Sequence, residues 1–315
     1  MSAPLNYLSA AGARAQAVLP LTWFLLIVAT ASCLLFAYAI LAALLRRRPP
    51  TEDPRAIVRG GNGVHIINLS LIATAIPLAI ALVWTMVAIA DTGLPPITRS
   101  LVLDITPHQW WWEVRYEGSQ PSDSFLTANE IHIPVGVPVL VKLHGADVIH
   151  SFWVPQLSGK TDSIPGQINK SWMQADKPGR YRGACAEFCG AQHARMGFEV
   201  VAEPMAAFAR WRQRQLQTAP PPASDLQAKG LAVVQYRCAL CHSVRGTDAG
   251  SNAGPDLTHL MSRATIAATL LPNNRGALAG WVQSPQGVKP GALMPDQHLS
   301  ADELNAVTAY LETLR

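Results

Sequence analysis

Charged residues are scarce in this 315-residue chain, at 15% of the total, and two long stretches have almost none. Residues 15–45 contain no Asp, Glu, Lys or Arg, and residues 60–90 contain only one titratable side chain, His65. Each stretch is longer than the ~20 apolar residues that cross a bilayer as a helix. The sequence therefore predicts two membrane spans, at about 18–45 and 64–90.

The chain also lacks the basic surface that a nucleic-acid partner would require. Its net charge of +4 arises within residues 1–90, whereas residues 91–315 carry no net charge. Five arginines lie in the short loop between the apolar runs: Arg46, Arg47, Arg48, Arg55 and Arg59. Such a loop is typical of the cytoplasmic side of a membrane. We expect residues 1–95 to form a transmembrane hairpin of a bacterial plasma membrane, with both termini and the large C-terminal part on the periplasmic side.

Cysteine is rare as well, with five residues. Cys33 falls in the first apolar run, where a small buried thiol is expected. The other four form two close pairs: Cys185 with Cys189, and Cys238 with Cys241. An oxidising compartment would allow a disulfide within each pair. Disulfides, however, would leave the histidine and methionine residues beside these pairs without a role.

The composition predicts three parts beyond the hairpin. Residues 96–217 contain short Val- and Ile-rich runs broken by Pro and Gly, which is typical of a β-sandwich. Residues 218–225, TAPPPASD, predict a Pro-rich linker. Residues 226–315 show helical patterns with serine cap signals at Ser224 and Ser300. Their Gly- and Pro-rich middle indicates loops around a large buried cofactor, because the apolar core would otherwise be thin.

The segment GACAEFCGAQHARM at 183–196 has the Cys, His and Met order of a blue copper site. Cys189, His193 and Met196 supply the loop ligands, and His150, at the end of an apolar strand, is the candidate for the second imidazole. The additional Cys185 provides a second thiolate, and two thiolates can bridge two copper ions. Zinc is less suitable, since closed zinc sites use closer cysteine pairs and no methionine. The segment therefore predicts a binuclear copper site.

Three segments resemble subunit II of haem-copper cytochrome c oxidases: ITPHQWWWEVRY (105–116), VIHSFWVPQLSGKTDSIPGQIN (148–169) and YRGACAEFCGAQHARMGFEVV (181–201). The resemblance covers about residues 15–210 and implies a cupredoxin domain with a binuclear CuA centre. All six ligand positions of the family are filled: His150, Cys185, Glu187 (through its carbonyl), Cys189, His193 and Met196.

The same resemblance implies further roles and partners. The side chain of Glu187 matches the residue that binds Mg²⁺ at the interface with subunit I, and subunit III is a further expected partner. Trp110 matches the position where electrons enter from cytochrome c, although core packing would also explain a tryptophan. The family often has a glutamate near the start of the second span, whereas this chain has His65 there and no carboxylate.

The segment CALCH at 238–242 is the attachment sequence of c-type haem. Cys238 and Cys241 would bind the haem covalently, and His242 would ligate the iron. Residues 226–315 resemble class I cytochrome c domains, which are all-α. That resemblance implies that the Pro255 carbonyl accepts the His242 ring N–H and that Met294 is the sixth iron ligand.

Three other side chains are rivals for the sixth position: His298, His259 and Met261. Both histidines are expected at the surface, where histidine is common. Met261 lies too close in sequence to the GPDL turn at 254–257 to reach the other side of the haem. Met294 is therefore the predicted ligand.

These parts together predict subunit II of a caa3-type oxidase. Electrons from cytochrome c or a cytochrome bc1 complex would pass through haem c and CuA to subunit I, where oxygen is reduced to water with proton translocation. The electron-input subunit of a CuA-containing nitric oxide reductase is an alternative. A copper-delivery assembly factor is an alternative of another class, but it has a thioredoxin-like fold and needs neither Met196 nor a fused haem domain.

Overall fold

The computed structural model describes residues 5–46, 63–93 and 101–315. These residues belong to two compact units, one of residues 16–94 and the other of residues 1–15 and 95–315. Four of the five loop arginines, from Arg47 to Arg59, lie outside the described residues, as do residues 96–100 of the predicted sandwich.

Two long helices make up the first unit, α1 (Ala13–Leu45) and α2 (Gly63–Thr92). The mean hydropathy reaches 2.5 in α1 and 2.4 in the second helix, which is sufficient for membrane spans by length and composition. Nearly all their large apolar side chains are exposed, as lipid-facing helices require. Cys33 is exposed on α1 rather than buried, because the helix is open around most of its circumference there.

A β-sandwich of ten strands forms the first part of the second unit. The strands are β1 (Leu101–His108), β2 (Trp111–Tyr116), β3 (Phe125–Ala128), β4 (Glu130–Pro134), β5 (Val139–His144), β6 (His150–Trp153), β7 (Thr161–Ser163), β8 (Ile168–Met173), β9 (Gly179–Cys185) and β10 (Gly197–Glu203). One sheet has the order β3-β2-β1-β5-β8 and the other β4-β10-β9-β6-β7. The pairs β1–β5 and β4–β10 are parallel, and the others are antiparallel.

Alternating side chains of the two sheets meet in an aromatic core. Trp112 is fully buried, with its ring 5.0 Å from that of Phe198 and 5.7 Å from that of Phe152. A helix, α3 (Met205–Gln215), follows the last strand and covers one end of the sandwich with Trp211. This architecture confirms the predicted cupredoxin-like sandwich and excludes the thioredoxin-like fold of a copper-delivery factor.

The C-terminal part is helical, apart from a pair of two-residue strands. Its elements are α4 (Asp225–Val233), a π-helical turn (Val234–Cys238), β11 (Thr265–Ile266), β12 (Leu271–Pro272), α5 (Arg275–Gln283), α6 (Pro285–Val288) and α7 (Ala301–Leu311). The hydroxyls of Ser224 and Ser300 cap α4 and α7, as the sequence predicts. These two helices approach so closely at Gly230 that a Cβ there would lie 2.1 Å from the Ala306 carbonyl oxygen.

Candidate metal and haem centres

The predicted copper ligands lie mainly on the loop between β9 and β10, residues 185–196, called the copper loop below. Antiparallel pairing of Gly197 with Ala184 brings the two ends of the loop together, and the Cys185 amide donates to the Met196 carbonyl. Gly190 turns the loop with a φ of +112°, a value that favours glycine. The ligands are thus held by the sheet at both ends of a short, tightly turned segment.

His150 reaches the copper loop through strand pairing. It is the first residue of β6, and Phe152 in the same strand pairs with Cys185. The Ala186 amide also donates to the Ser151 carbonyl, which extends the contact into the loop. His150 is fully buried, so its ring is fixed beside the sulfur of Cys185.

The potential donor atoms form a continuous cluster. The Sγ atoms of Cys185 and Cys189 lie 3.7 Å apart, well beyond the ~2.05 Å of a disulfide. Each sulfur has its own imidazole: His150 Nδ1 is 3.8 Å from Cys185, and His193 Nδ1 is 3.6 Å from Cys189. Met196 Sδ lies 3.8 Å from Cys189 Sγ, and the Glu187 carbonyl oxygen lies 3.2 Å from Cys185 Sγ.

This spacing suits bound metal. Two donors that each lie about 2.0–2.3 Å from one shared ion are separated by distances of this order. Thiolate, imidazole and thioether together are a soft donor set, which favours copper over hard cations. His150, Cys185 and Cys189 are all buried, and their donor atoms lie within 4.8 Å of one another. The residues present therefore fit a copper centre.

Electrostatics make the cluster attractive to cations. A hydrogen bond from the Cys189 thiol lowers the pKa of Cys185, while the same interaction raises the pKa of Cys189. Burial lowers the pKa of His150, but its hydrogen bonds with Cys185 and Asp147 outweigh burial and leave the pKa raised. The Cys185 sulfur thus holds negative charge in a buried site, where a bound cation would balance it.

The motifs did not reveal Asp147, which contacts a predicted copper ligand. Its Oδ1 lies 2.8 Å from His150 Nε2, so the proton belongs on Nε2 and the Nδ1 lone pair faces the sulfurs. A carboxylate behind a ligating imidazole fixes the ring and makes it a stronger donor. The only sequence signal was an acidic residue three positions before a candidate histidine.

We therefore expect Asp147→Asn to weaken copper binding by roughly 10–100-fold, because the amide cannot supply the negative charge. Copper titration against a competing chelator measures this change. Asp162→Asn is the matched control, since Asp162 is an exposed aspartate on neighbouring β7. Equal copper affinity for Asp147→Asn and the unaltered chain would contradict the role given to Asp147.

The other sandwich residues singled out by sequence lie around the copper loop. Trp110 is 9% exposed, and its Nε1–H donates to the Cys189 carbonyl at 3.0 Å. The Glu187 side chain is exposed on the loop, next to the exposed ring of Phe188. Glu187 therefore presents its carbonyl to the cluster and its carboxylate to the surface.

The CALCH segment borders a cavity of about 320 Å³. Cys238, Cys241, His242, Pro255 and Met294 all line it, so the structure brings every predicted haem residue to one space. Apolar side chains provide most of the remaining wall of the helical part: Leu257, Leu260, Ile266, Leu278, Trp281, Val282, Val307 and Leu311. Free cysteines, a histidine and a methionine around an apolar cavity fit a covalently bound haem.

His242 is oriented by the turn that follows it. Its Nδ1 lies 2.7 Å from the Pro255 carbonyl oxygen, which leaves Nε2 as the potential iron ligand. Gly254 lies against the ring, and a Cβ there would approach it to 2.8 Å. Burial lowers the pKa of His242, which favours the neutral imidazole that ligates iron.

One rival for the sixth position differs from its sequence-based expectation. His259 is buried rather than at the surface, with Nδ1 2.7 Å from the Arg315 carbonyl oxygen and Nε2 3.1 Å from that of Gln217. Both ring nitrogens are thus engaged in tying the chain end to the segment after α3. Neither His259 nor Met261 lines the cavity, whereas Met294 does.

The wall of this cavity includes four residues of the sandwich: Gln109, Trp110, Trp111 and Asn129. Trp110 therefore contacts the copper loop and also borders the haem cavity. The chain thus combines apolar spans, a cupredoxin-like sandwich with a copper-type donor cluster, and a helical part with a haem attachment motif. These features define a membrane-anchored fusion of a copper domain with a c-type cytochrome domain.

Comparison with known proteins shows the family to which the chain belongs. The family model described as cytochrome c oxidase subunit II, periplasmic domain, matches residues 101–203, and the cytochrome c model matches residues 227–315. Cytochrome c oxidase subunit 2 of Alkalihalophilus pseudofirmus is 33% identical over 92% of this chain and 85% of its own length. Cytochrome c oxidase subunit 2 of Bacillus sp. (strain PS3) is 31% identical over 86% of this chain and 80% of its own length.

A solved structure, the periplasmic domain of cytochrome oxidase subunit II of Bradyrhizobium japonicum, is 30% identical, with a TM-score of 0.35. It covers 38% of this chain and 96% of its own. The chain belongs to the cytochrome c oxidase subunit II family and carries a cytochrome c domain fused at its C-terminal side, as in caa3-type oxidases. It is thus a membrane protein and a subunit of an oxidase complex, and its two domains imply copper and haem c.

Proposed function

We propose that this chain is the electron-input subunit of a haem-copper oxidase. Electrons would be accepted at a covalent haem c on Cys238 and Cys241, pass through a binuclear CuA centre and reach subunit I, which reduces oxygen to water with proton translocation. The observation that carries the proposal is Trp110, which donates to the carbonyl of Cys189 and borders the haem cavity. One side chain thus connects the two candidate centres.

The ligand residues have divided tasks in this proposal. Cys185 and Cys189 would bridge the metal ions, and His150 and His193 would each bind one of them. Met196 and the Glu187 carbonyl would be the weak axial ligands. Bound copper and haem would supply one-electron chemistry at nearly fixed geometry. The sheet-anchored loop and the Asp147–His150 contact hold these donors in place, which keeps rearrangement small.

The helical part would hold its haem in a comparable way. His242, oriented by the Pro255 carbonyl, and Met294 would ligate the iron from opposite sides. A haem held by both residues would have no open position for a substrate, which suits an electron carrier. The cytochrome part thus serves transfer rather than bond-making chemistry.

In this proposal the exposed face of the copper loop would contact subunit I. Phe188 is 76% exposed beside the Glu187 side chain, and such a residue pair suits a contact with subunit I. The Glu187 carboxylate would bind Mg²⁺ there. Subunit III and a donor, either cytochrome c or a cytochrome bc1 complex, complete the assembly. The arginine-rich loop would lie in the cytoplasm and both soluble domains in the periplasm of a bacterial plasma membrane.

Spectroscopy of the full chain, purified in detergent with copper and haem incorporated, tests this function. We expect one c-type haem and two copper ions that share one unpaired electron in the EPR spectrum. After rapid mixing with reduced cytochrome c, the haem band should change before the copper band. A mononuclear blue-copper spectrum, or linked cysteines with no copper, would overturn the proposal.

A further inference from the structure

A short segment of the cytochrome domain lies directly on the copper domain. This segment, residues 288–291, is called the docking segment. Three hydrogen bonds join it to the copper domain: Lys289 Nζ to the Trp110 carbonyl (2.6 Å), Gln192 Nε2 to the Pro290 carbonyl (2.7 Å) and Arg195 Nη1 to the Val288 carbonyl (2.9 Å). Gln192 and Arg195 belong to the copper loop. The docking segment therefore contacts both the loop and the tryptophan beside it.

Lys289 is the unusual member of this contact. It is only 3% exposed, whereas lysine is almost never fully buried unless it is paired. Burial lowers its pKa to about 8, against an ordinary value of 10.5. Its ammonium group is oriented by a charge-assisted hydrogen bond to one backbone carbonyl, which is among the stronger kinds of hydrogen bond. This bond fixes the docking segment against the backbone of Trp110.

The Trp110 ring is enclosed between the two domains. A Cβ on Gly190 of the copper loop would lie 3.0 Å from the ring, and one on Gly291 of the docking segment would lie 3.9 Å from it. The same cytochrome-domain loop continues within three residues to Met294, the proposed iron ligand. Docking thus sets the position of the haem cavity relative to Trp110.

A second contact holds the domains together at another point. The Glu130 carboxylate of the sandwich accepts a hydrogen bond from the Ala264 amide at 3.0 Å. Burial would raise the pKa of Glu130, but hydrogen bonding and charge from His132, with Ala264 and Arg180, outweigh it and lower the pKa to about 2. The carboxylate therefore stays ionised at neutral pH. Two separated contacts favour one fixed orientation over free movement on a tether.

We propose that Lys289 is a positioning residue that latches the cytochrome domain onto Trp110, and that the latched domain closes Trp110 to external electron donors. The effect of the latch on electron transfer rests on the proposed function, whereas the docking contact itself does not. In the latched state a soluble donor would have no access to Trp110, because the docking segment covers it. A soluble cytochrome would reduce the copper centre only through the fused haem.

Lys289→Met in the full chain tests the latch, because methionine has a similar length and no donor. Lys229→Met, on exposed α4 of the same domain, is the matched control. In chains with and without cofactors, amide hydrogen exchange over residues 186–196 and 285–292 should accelerate about tenfold in Lys289→Met alone, the effect of losing one charged hydrogen bond. Unchanged exchange would overturn the latch, whether or not copper is bound.

The cofactor-loaded chains test the consequence for transfer. After photoreduction of the haem, transfer to copper should be about tenfold slower in Lys289→Met, with unchanged haem and copper spectra. Reduced soluble cytochrome c should also gain a direct route to copper, a change that mere loss of stability would not produce. An unchanged transfer rate with no direct route would contradict the proposal.

Arg195→Met provides an independent variant if Lys289→Met loses its cofactors. It breaks the bond to the Val288 carbonyl from the copper side of the same interface, at an exposed position. Faster exchange over the docking segment would support docking of this segment on the copper loop, and unchanged exchange would contradict a contribution of the loop to that docking. Absence of the paired-copper signal in the unaltered chain would instead remove the proposed function, while the exchange result would still decide the docking question.

Discussion

Replacing Cys185 by serine is expected to abolish the paired-copper EPR signal completely while leaving the c-type haem spectrum unchanged. Cys185 Sγ is the atom that lies next to His150, Cys189 and the Glu187 carbonyl at once. A serine hydroxyl is a much poorer ligand for copper than a thiolate, so the proposed second bridge would be lost. Because Cys185 does not line the haem cavity, covalent haem attachment should continue normally.

Cys33→Ser is the control for the Cys185 experiment, since Cys33 is an exposed cysteine on α1 and not a member of the donor cluster. It should leave both spectra intact. Copper content measured by mass spectrometry should fall below two per chain only in the Cys185 variant. If that variant kept a shared unpaired electron, the two-thiolate bridge would be wrong, and a different pair of ligands would have to hold the copper ions.

The grouping of the candidate copper ligands on the copper loop could be predicted from sequence because these residues are close along the chain. Cys185, Cys189, His193 and Met196 lie within one turn between two strands, so spacing alone predicts that they meet. The position of His150 beside the copper loop is harder to predict, since it depends on β6 being paired with β9. The composition predicts strands there, but it does not give their order in the sheet.

The contacts between domains could not be predicted in this way. Lys289 and Trp110 are 179 residues apart, and neither local pattern nor spacing points from one to the other. A lysine in a Gly- and Pro-rich segment suggests an exposed side chain, yet the packing of two domains buries it. His259 shows the same effect, because its two carbonyl partners come from distant segments. Long-range packing, rather than local propensity, decides the burial of such polar residues.

A second large effect is expected on replacing Met294 of the cytochrome domain. Met294 borders the cavity on a loop whose carbonyls are held by Gln286, with the Gln286 Nε2 2.7 Å from the carbonyls of both Ala292 and Met294. The loop is therefore fixed without help from an iron–sulfur bond. A variant at Met294 should keep its backbone position and lose only the thioether.

Met294→Leu is accordingly expected to retain covalent haem but to lower its reduction potential by on the order of 0.1 V, because a thioether ligand favours reduced iron. Each 59 mV changes a one-electron equilibrium tenfold, so the equilibrium constant for reduction of the haem by reduced cytochrome c should fall by more than tenfold. Redox titration of the haem band measures the shift. Met261→Leu, a partly buried methionine outside the cavity, should leave the potential unchanged. An unaltered potential in Met294→Leu would contradict the role of Met294 as the sixth iron ligand.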